Sequence, residues 1–170
     1  MSYFGYSQDP VVTPMRRGSM RPSPVFIGIL ALFVVGGVLA WSDLGSPGFD
    51  VFLFVVGGWL VSLCLHEFAH ALVAYRSGDT GVVDRGYLQL NPLKYAHWLL
   101  SIALPLLFII AGGIALPGGA VMIDHGRIRS KARDTAVSLA GPAVNLVFAG
   151  LLALPFAVGV DLAAHAVFWS

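Results

Sequence analysis

Residues 51–75 read VFLFVVGGWLVSLCLHEFAHALVAY, an apolar stretch of about 25 residues that two histidines and a glutamate interrupt. A helix of about 20 mostly apolar residues is long enough to cross the hydrocarbon core of a bilayer. The stretch is therefore predicted to span a membrane as a helix. His66, Glu67 and His70 are costly in lipid unless they have partners, so a functional site is expected within this span.

The composition of the whole chain agrees with a membrane protein. Of its 170 residues, 57% are hydrophobic and 11% are charged, whereas about 25% of the residues of soluble domains are charged. The formal net charge of +1 leaves no basic surface that would argue for nucleic-acid binding, which excludes that class of protein. The single cysteine, Cys64, excludes an internal disulfide framework and a thiolate metal cluster.

Three other segments are apolar enough to lie in a membrane. Residues 25–41 are predicted to form the first span and residues 135–159 the third, and a fourth span is expected to begin at Ala163. Residues 98–116 are also apolar, but their prolines and glycines disfavour a straight helix. The predicted fold is an all-α polytopic membrane protein with three to four transmembrane helices and a small re-entrant or β element between the second and third.

Arginine and lysine residues predict the orientation of the chain. Residues 1–24 are rich in proline and arginine and are expected to be a disordered cytoplasmic tail, ahead of a membrane domain over residues 25–170. Basic residues in 76–97 and 118–134 place both of these segments on the cytoplasmic side as well. Residues 98–116 should then dip into the membrane and return, although a full crossing stays open. A cleaved signal peptide is the alternative for residues 25–41.

The spacing of the ionisable residues in the second span predicts a metal site. His66-Glu67-Phe68-Ala69-His70 is an HExxH pattern, and on a helix its two histidines lie on one face, where both imidazoles can reach one Zn²⁺. Glu67, the only glutamate of the chain, is left free to take a proton from a water molecule. Without a metal, the same three residues could form an intramembrane ion pair or a proton relay.

With two further motifs, this pattern resembles the site-2 proteases, a family of intramembrane zinc metalloproteases. The motifs are HEFAHALVA at 66–74, LQLNPLK at 88–94 and AGPAVN at 140–145, and the resemblance extends over about residues 25–159. It implies that His66 and His70 bind zinc and that Glu67 is the general base in hydrolysis of peptide bonds of membrane-embedded substrates. It also implies that residues 86–90 and 118–123, which are led by glycine, form short strands that hold an extended substrate.

The sequence departs from this family at the third zinc ligand. The family takes that ligand from an Asp of an Asp-Gly motif on a later span, and this sequence contains no Asp-Gly pair. A catalytic zinc site normally has three protein ligands and a water. We therefore expect the chain to be a fragment or a shortened product that stops before the helix carrying this ligand. The other histidines, His97, His125 and His165, are expected at the interface or in loops.

The Gly-Pro-x-x-Asn element is predicted to lie at the same depth in the membrane as the HExxH motif. His70 precedes Arg76 by six residues and Gly141 follows Asp134 by seven, on helices of opposite direction. Gly141 should permit close helix approach, Pro142 should free a carbonyl, and Asn145 should offer hydrogen bonds toward the zinc site. A kinked packing interface without contact to substrate is the alternative.

Three functions follow from the sequence. The first is an intramembrane zinc metalloprotease whose partners are the lipid bilayer and a membrane-protein substrate. The second is a catalytically inactive homologue or scaffold, because two histidines alone should hold zinc weakly. The third is a proton-coupled transporter that uses His66, Glu67 and His70 as a relay, although the sequence has no inverted repeat.

Overall fold

The computed structural model describes residues 20–42, 45–94, 107, 110, 111, 121–128 and 130–157. These residues form helices and irregular segments without a β-strand, and three of the helices are long and apolar enough to cross a membrane. The predicted all-α polytopic membrane fold is confirmed. Most of the predicted tail, nearly all of residues 98–116 and the predicted fourth span lie outside the described residues.

The first helix, α1, runs over Pro24–Ser42 and agrees closely with the predicted first span. Ser23 caps its N-terminus, because its hydroxyl accepts a hydrogen bond from the amide of Phe26 at 3.1 Å. The amide of Ser23 in turn donates to the carbonyl of Gln89 at 2.9 Å. This contact fixes the start of α1 beside the segment that follows the second span.

The second helix, α2, covers Pro47–Ser77 and carries the HExxH motif in its C-terminal half. It begins four residues before the predicted span because Pro47 occupies the first helical turn, where a missing amide costs nothing. Its 31 residues correspond to a length of about 46 Å at 1.5 Å per residue. It ends at Gly78, whose positive φ of 128° is a conformation that glycine adopts more readily than other residues. The amide of Gly78 donates to the carbonyls of Ala74 and Tyr75.

Helix α2 lies between α1 and the third spanning helix. A short helix, α3, covers Gly81–Asp84, and α4 covers Lys131–Ala157 with Pro142 and Pro155 inside it. Glycines allow α1 and α2 to approach closely: a Cβ on Gly57 would lie 2.7 Å from the Cα of Phe33. The ring of Phe33 stacks on Phe54 of α2 at 4.9 Å and also meets Phe148 of α4.

The predicted strand at residues 86–90 is wrong. Tyr87–Gln89 form a 3₁₀ turn, and Gly86 and Leu90 on either side have φ values of 70° and 54°. Tyr87 and Leu88 are both buried in the apolar cluster between α2 and α4, whereas consecutive residues of a strand face opposite sides. Of the second predicted strand, the described residues 121–123 are irregular, and residues 118–120 lie outside the described part of the chain.

Candidate metal centre

His66 and His70 project from consecutive turns of α2 toward one point. Their Nε2 atoms are 3.0 Å apart, and their rings meet edge to face at an interplanar angle of 77°. This is the arrangement expected of histidines four residues apart on a helix. The helix itself therefore brings two imidazole nitrogens together.

The tautomer of His70 is set by α4. Its Nδ1 lies 2.6 Å from the carbonyl oxygen of Val137, and because that oxygen can only accept, Nδ1 carries the proton and donates it. The lone pair of a neutral His70 is then on Nε2, which faces His66. A metal-binding histidine usually donates its other ring N–H to a carbonyl or carboxylate in this way.

The pair fits a zinc ion as two of its ligands. Two nitrogens bound to tetrahedral zinc at 2.0–2.1 Å lie roughly 3.3 Å from each other, close to the 3.0 Å observed between the two Nε2 atoms. The buried Nδ1 of His66 has no hydrogen-bond partner among the described residues. No group of three His, Cys, Asp or Glu side chains suited to a metal occurs within the described ranges.

Glu67 is buried beside the pair, with 3% of its surface exposed. Its Oε2 accepts a hydrogen bond from the backbone amide of Val121 at 2.8 Å. A buried carboxylate needs such a donor, since leaving it unpaired would be costly. The contact fixes the carboxylate in position next to His66 and His70.

Residues 121–128 form a cover segment over the centre. Asp79, which is fully buried just beyond α2, accepts from the amides of Gly81 at 3.0 Å and Asp124 at 2.9 Å. Arg85 donates from its guanidinium to the carbonyl of Met122. With the amide of Val121 bound to Glu67, the cover segment is held at three points along its backbone.

The Gly-Pro-x-x-Asn element of α4 lies against the two histidines, as its predicted depth required. A Cβ on Gly141 would lie 2.4 Å from Nε2 of His70 and 2.5 Å from Nε2 of His66. Asn145 accepts a hydrogen bond from the hydroxyl of Ser62 at 3.1 Å. Pro142 is exposed on the outer side of α4.

The centre opens into a cavity of about 340 Å³. Its wall combines the HExxH side chains with residues of the cover segment and α4: His66, Glu67, His70, Val121, Ile123, His125, Val137 and Ser138. His125, expected from the sequence to be a loop histidine, is exposed at its edge and pairs with Asp134. The cavity gives a molecule from outside access to Glu67 and both imidazoles.

Four residues that support this centre were not found by sequence reasoning: Val137, Val121, Asp79 and Ser62. Val137 and Val121 act through backbone atoms, which no motif reveals. Asp79 stands 45 residues before its partner Asp124. Of the four, only Ser62 could have been predicted from spacing, because it lies four residues before His66 and therefore on the same face of α2.

The comparisons with known proteins agree with the geometry. The chain is 50% identical over 167 residues to a protein of Mycolicibacterium smegmatis named "Putative zinc metalloprotease Rip2". It is 52% identical over 161 residues to the Rip2 of Mycobacterium tuberculosis H37Rv. Over 112 residues it is 38% identical to a Bacillus subtilis protein named "Putative zinc metalloprotease YwhC". The chain belongs to the site-2 protease family.

These alignments cover this chain more fully than they cover its relatives. They include 94% of this chain with the M. smegmatis protein and 62% with YwhC, but 62% and 48% of those two relatives. This member of the site-2 protease family therefore spans less than two thirds of the length of the curated relatives it matches. No family model and no solved structure matches it.

Proposed function

We propose that the protein is an intramembrane zinc metalloprotease that hydrolyses peptide bonds of membrane-embedded substrates. The observation that carries the proposal is the convergence of the His66 and His70 Nε2 atoms at 3.0 Å beside the buried carboxylate of Glu67. The names of the Rip2 and YwhC relatives support a metalloprotease. The three apolar helices support a membrane location, with the N-terminus on the cytoplasmic side as the basic residues predict.

In this proposal His66 and His70 hold zinc through Nε2, together with a third ligand that the described residues do not supply. Bound there, Zn²⁺ would supply Lewis-acid chemistry, making water a nucleophile near neutral pH and polarising a substrate carbonyl. The carbonyl of Val137 orients the imidazole of His70. Metal binding then costs less side-chain entropy, because this ring is already held in place.

Glu67 moves the proton in this reaction. With Oε2 held by the amide of Val121, Oε1 is the atom that we assign to take a proton from the attacking water. The same carboxyl then delivers that proton to the leaving amine nitrogen, so one side chain acts first as base and then as acid. The cover segment and α4 limit the entry of bulk water and leave the cavity as the way in.

The test is cleavage of a membrane-tethered reporter substrate by the purified protein in liposomes. Glu67→Gln should abolish cleavage, with rates at least 100-fold lower, while zinc content measured by mass spectrometry stays at the wild-type level. Asp84→Asn makes the same carboxylate-to-amide change at an exposed site and should cleave normally. Undiminished cleavage by Glu67→Gln would refute the assignment of the base.

A wild-type protein that binds zinc but cleaves no reporter would favour the inactive homologue or scaffold. A wild-type protein that binds no zinc, yet moves protons across the liposome membrane through Glu67, would favour the transporter. Zinc content, cleavage and proton flux measured on one preparation therefore separate the three functions.

A further inference from the structure

Two helix faces meet in register at the centre. Ser62, His66 and His70 lie four residues apart on α2, and Val137, Gly141 and Asn145 lie four residues apart on antiparallel α4. The contacts between the two helices pair them in reverse order: Val137 with His70, Gly141 with both histidines and Asn145 with Ser62. The two histidines therefore face different partners on α4.

The Nδ1 atoms of the two histidines differ in their support. Nδ1 of His70 donates to the carbonyl of Val137 at 2.6 Å. Nδ1 of His66 is buried and forms no hydrogen bond within the described part of the chain. If Nε2 of a neutral His66 binds a metal, its proton must lie on Nδ1, and a buried N–H without an acceptor is costly.

Gly141 of α4 lies against the His66 imidazole, since a Cβ there would be 2.5 Å from Nε2 and 2.6 Å from Cε1. Asn145 lies one turn further along α4 and bonds to Ser62, one turn before His66. The side chain of Asn145 and the carbonyl of Gly141 are therefore the candidate acceptors beside this imidazole. The hydroxyl of Ser62 donates to Oδ1 of Asn145 at 3.1 Å, which fixes this oxygen on the side of the amide that faces α2. An amide oxygen has two lone pairs, so Oδ1 can accept a second hydrogen bond. The carbonyl of Gly141 lies within the α-helical backbone of α4, where it is an acceptor for the helix itself.

We infer that Asn145, oriented by Ser62, positions His66 by accepting a hydrogen bond from Nδ1–H when Nε2 binds zinc. The inference rests on the proposed zinc function and deepens it. Asn145 then does for His66 what the Val137 carbonyl does for His70. The sequence led us to expect hydrogen bonds from Asn145 toward the zinc site, and the inference specifies the partner as Nδ1 of His66 and Asn145 as the acceptor. A residue of this kind acts through another, so its loss weakens metal affinity by about 10- to 100-fold.

The experiment measures the zinc affinity of the purified protein in detergent by competition with a chromogenic chelator. Asn145→Leu keeps the approximate size of the side chain but loses the acceptor, and should bind zinc 10- to 100-fold more weakly. Asn145→Asp keeps an oxygen at Oδ1 and should bind zinc at least as tightly as the wild type. Cobalt substitution provides a spectroscopic readout, because the d–d bands of the bound ion should shift in Asn145→Leu.

Ser62 has its own pair of variants. Ser62→Ala frees the Asn145 amide and should weaken zinc binding by several-fold, whereas Ser62→Thr keeps the hydroxyl and should restore it. Ser42→Ala is the matched control: its hydroxyl bonds to two carbonyls of its own helix, Val38 at 2.7 Å and Leu39 at 3.4 Å. Zinc affinity should not change in this variant.

Wild-type zinc affinity in Asn145→Leu would overturn the inference and assign the Gly141 carbonyl as the acceptor. Equal weakening in Asn145→Leu and Asn145→Asp would also overturn it, because the side chain would then act through packing. Failure of the proposed protease function is a separate result: reporter cleavage would be absent or independent of Glu67 while the zinc affinities still followed the Asn145 oxygen.

Discussion

The backbone amide of Val121 donates a hydrogen bond of 2.8 Å to Oε2 of Glu67, across 54 residues of sequence. This bond joins the cover segment directly to the side chain that we assign as the general base. The other attachments of the segment, at Asp79 and Arg85, lie beyond the C-terminal end of α2. The position of Glu67 therefore depends on residues far from the HExxH motif.

Asp79→Asn should loosen the cover segment. Asp79 uses both carboxylate oxygens to accept backbone amides, and an asparagine has only one accepting oxygen. A buried amide left without an acceptor costs about 1–3 kcal/mol, so the free energy of unfolding should fall by that amount. Chemical denaturation in detergent measures this change, and hydrogen exchange at Val121 and Asp124 should become faster.

The control for this variant is Asp84→Asn, which alters an exposed carboxylate nearby. Its unfolding free energy should stay within about 0.5 kcal/mol of the wild-type value. If both variants unfolded alike and the amides of the cover segment kept their protection, Asp79 would not be an anchor of the segment.

Local patterns in the sequence predicted the parts of the protein that follow from helix periodicity. Apolar runs predicted the three spanning helices, and the four-residue spacing of His66 and His70 predicted their convergence on one face of α2. Loop charges predicted that α2 and α4 run in opposite directions. The similar distances of His70 and Gly141 from the cytoplasmic boundary then predicted that Gly141 lies beside the histidines. Each of these predictions required only the geometry of one or two helices.

Contacts between distant segments could not be predicted in this way. The bond between Asp79 and Asp124 joins an irregular turn to another irregular segment, and neither has a period. The 3₁₀ turn at Tyr87–Gln89 replaced a predicted strand because burial of Tyr87 and Leu88 against α2 and α4 outweighed local β propensity. Tertiary packing decided both cases.

Gly141→Ala should remove zinc binding without unfolding the protein. The added Cβ would lie 2.4–2.5 Å from the Nε2 atoms of both histidines, so the imidazoles would have to move from the positions in which their Nε2 atoms converge. Zinc content should fall well below the wild-type value, and reporter cleavage should fall with it. Gly150→Ala is the control on the same helix, because its Cβ would meet no atom of the described residues within 4 Å. Full zinc content in Gly141→Ala would show that α4 does not lie this close to His66 and His70.

Gly57→Ala tests the crossing of α1 and α2. Its Cβ would lie 2.7 Å from the Cα of Phe33, so the two backbones must move apart. Overpacking of this kind costs about 1–3 kcal/mol, which should lower the midpoint of SDS-induced unfolding. Gly28→Ala adds the same methyl group to α1, where no atom in the described part of the chain lies within 4 Å of it, and should leave that midpoint unchanged. An unchanged midpoint in Gly57→Ala would contradict the close crossing.

Zinc removal should lower the thermal stability of the wild-type protein but not that of His70→Ala. A ligand that binds only the folded state stabilises it by about 2.7 kcal/mol at 100 times its Kd, and a strong chelator abolishes this contribution. His70→Ala lacks one of the two converging nitrogens, so the chelator should leave its Tm unchanged. His125→Ala is the matched control, because His125 pairs with Asp134 rather than with the two histidines. Its Tm should fall on chelation as the wild-type Tm does, and an equal fall in His70→Ala would place the zinc elsewhere.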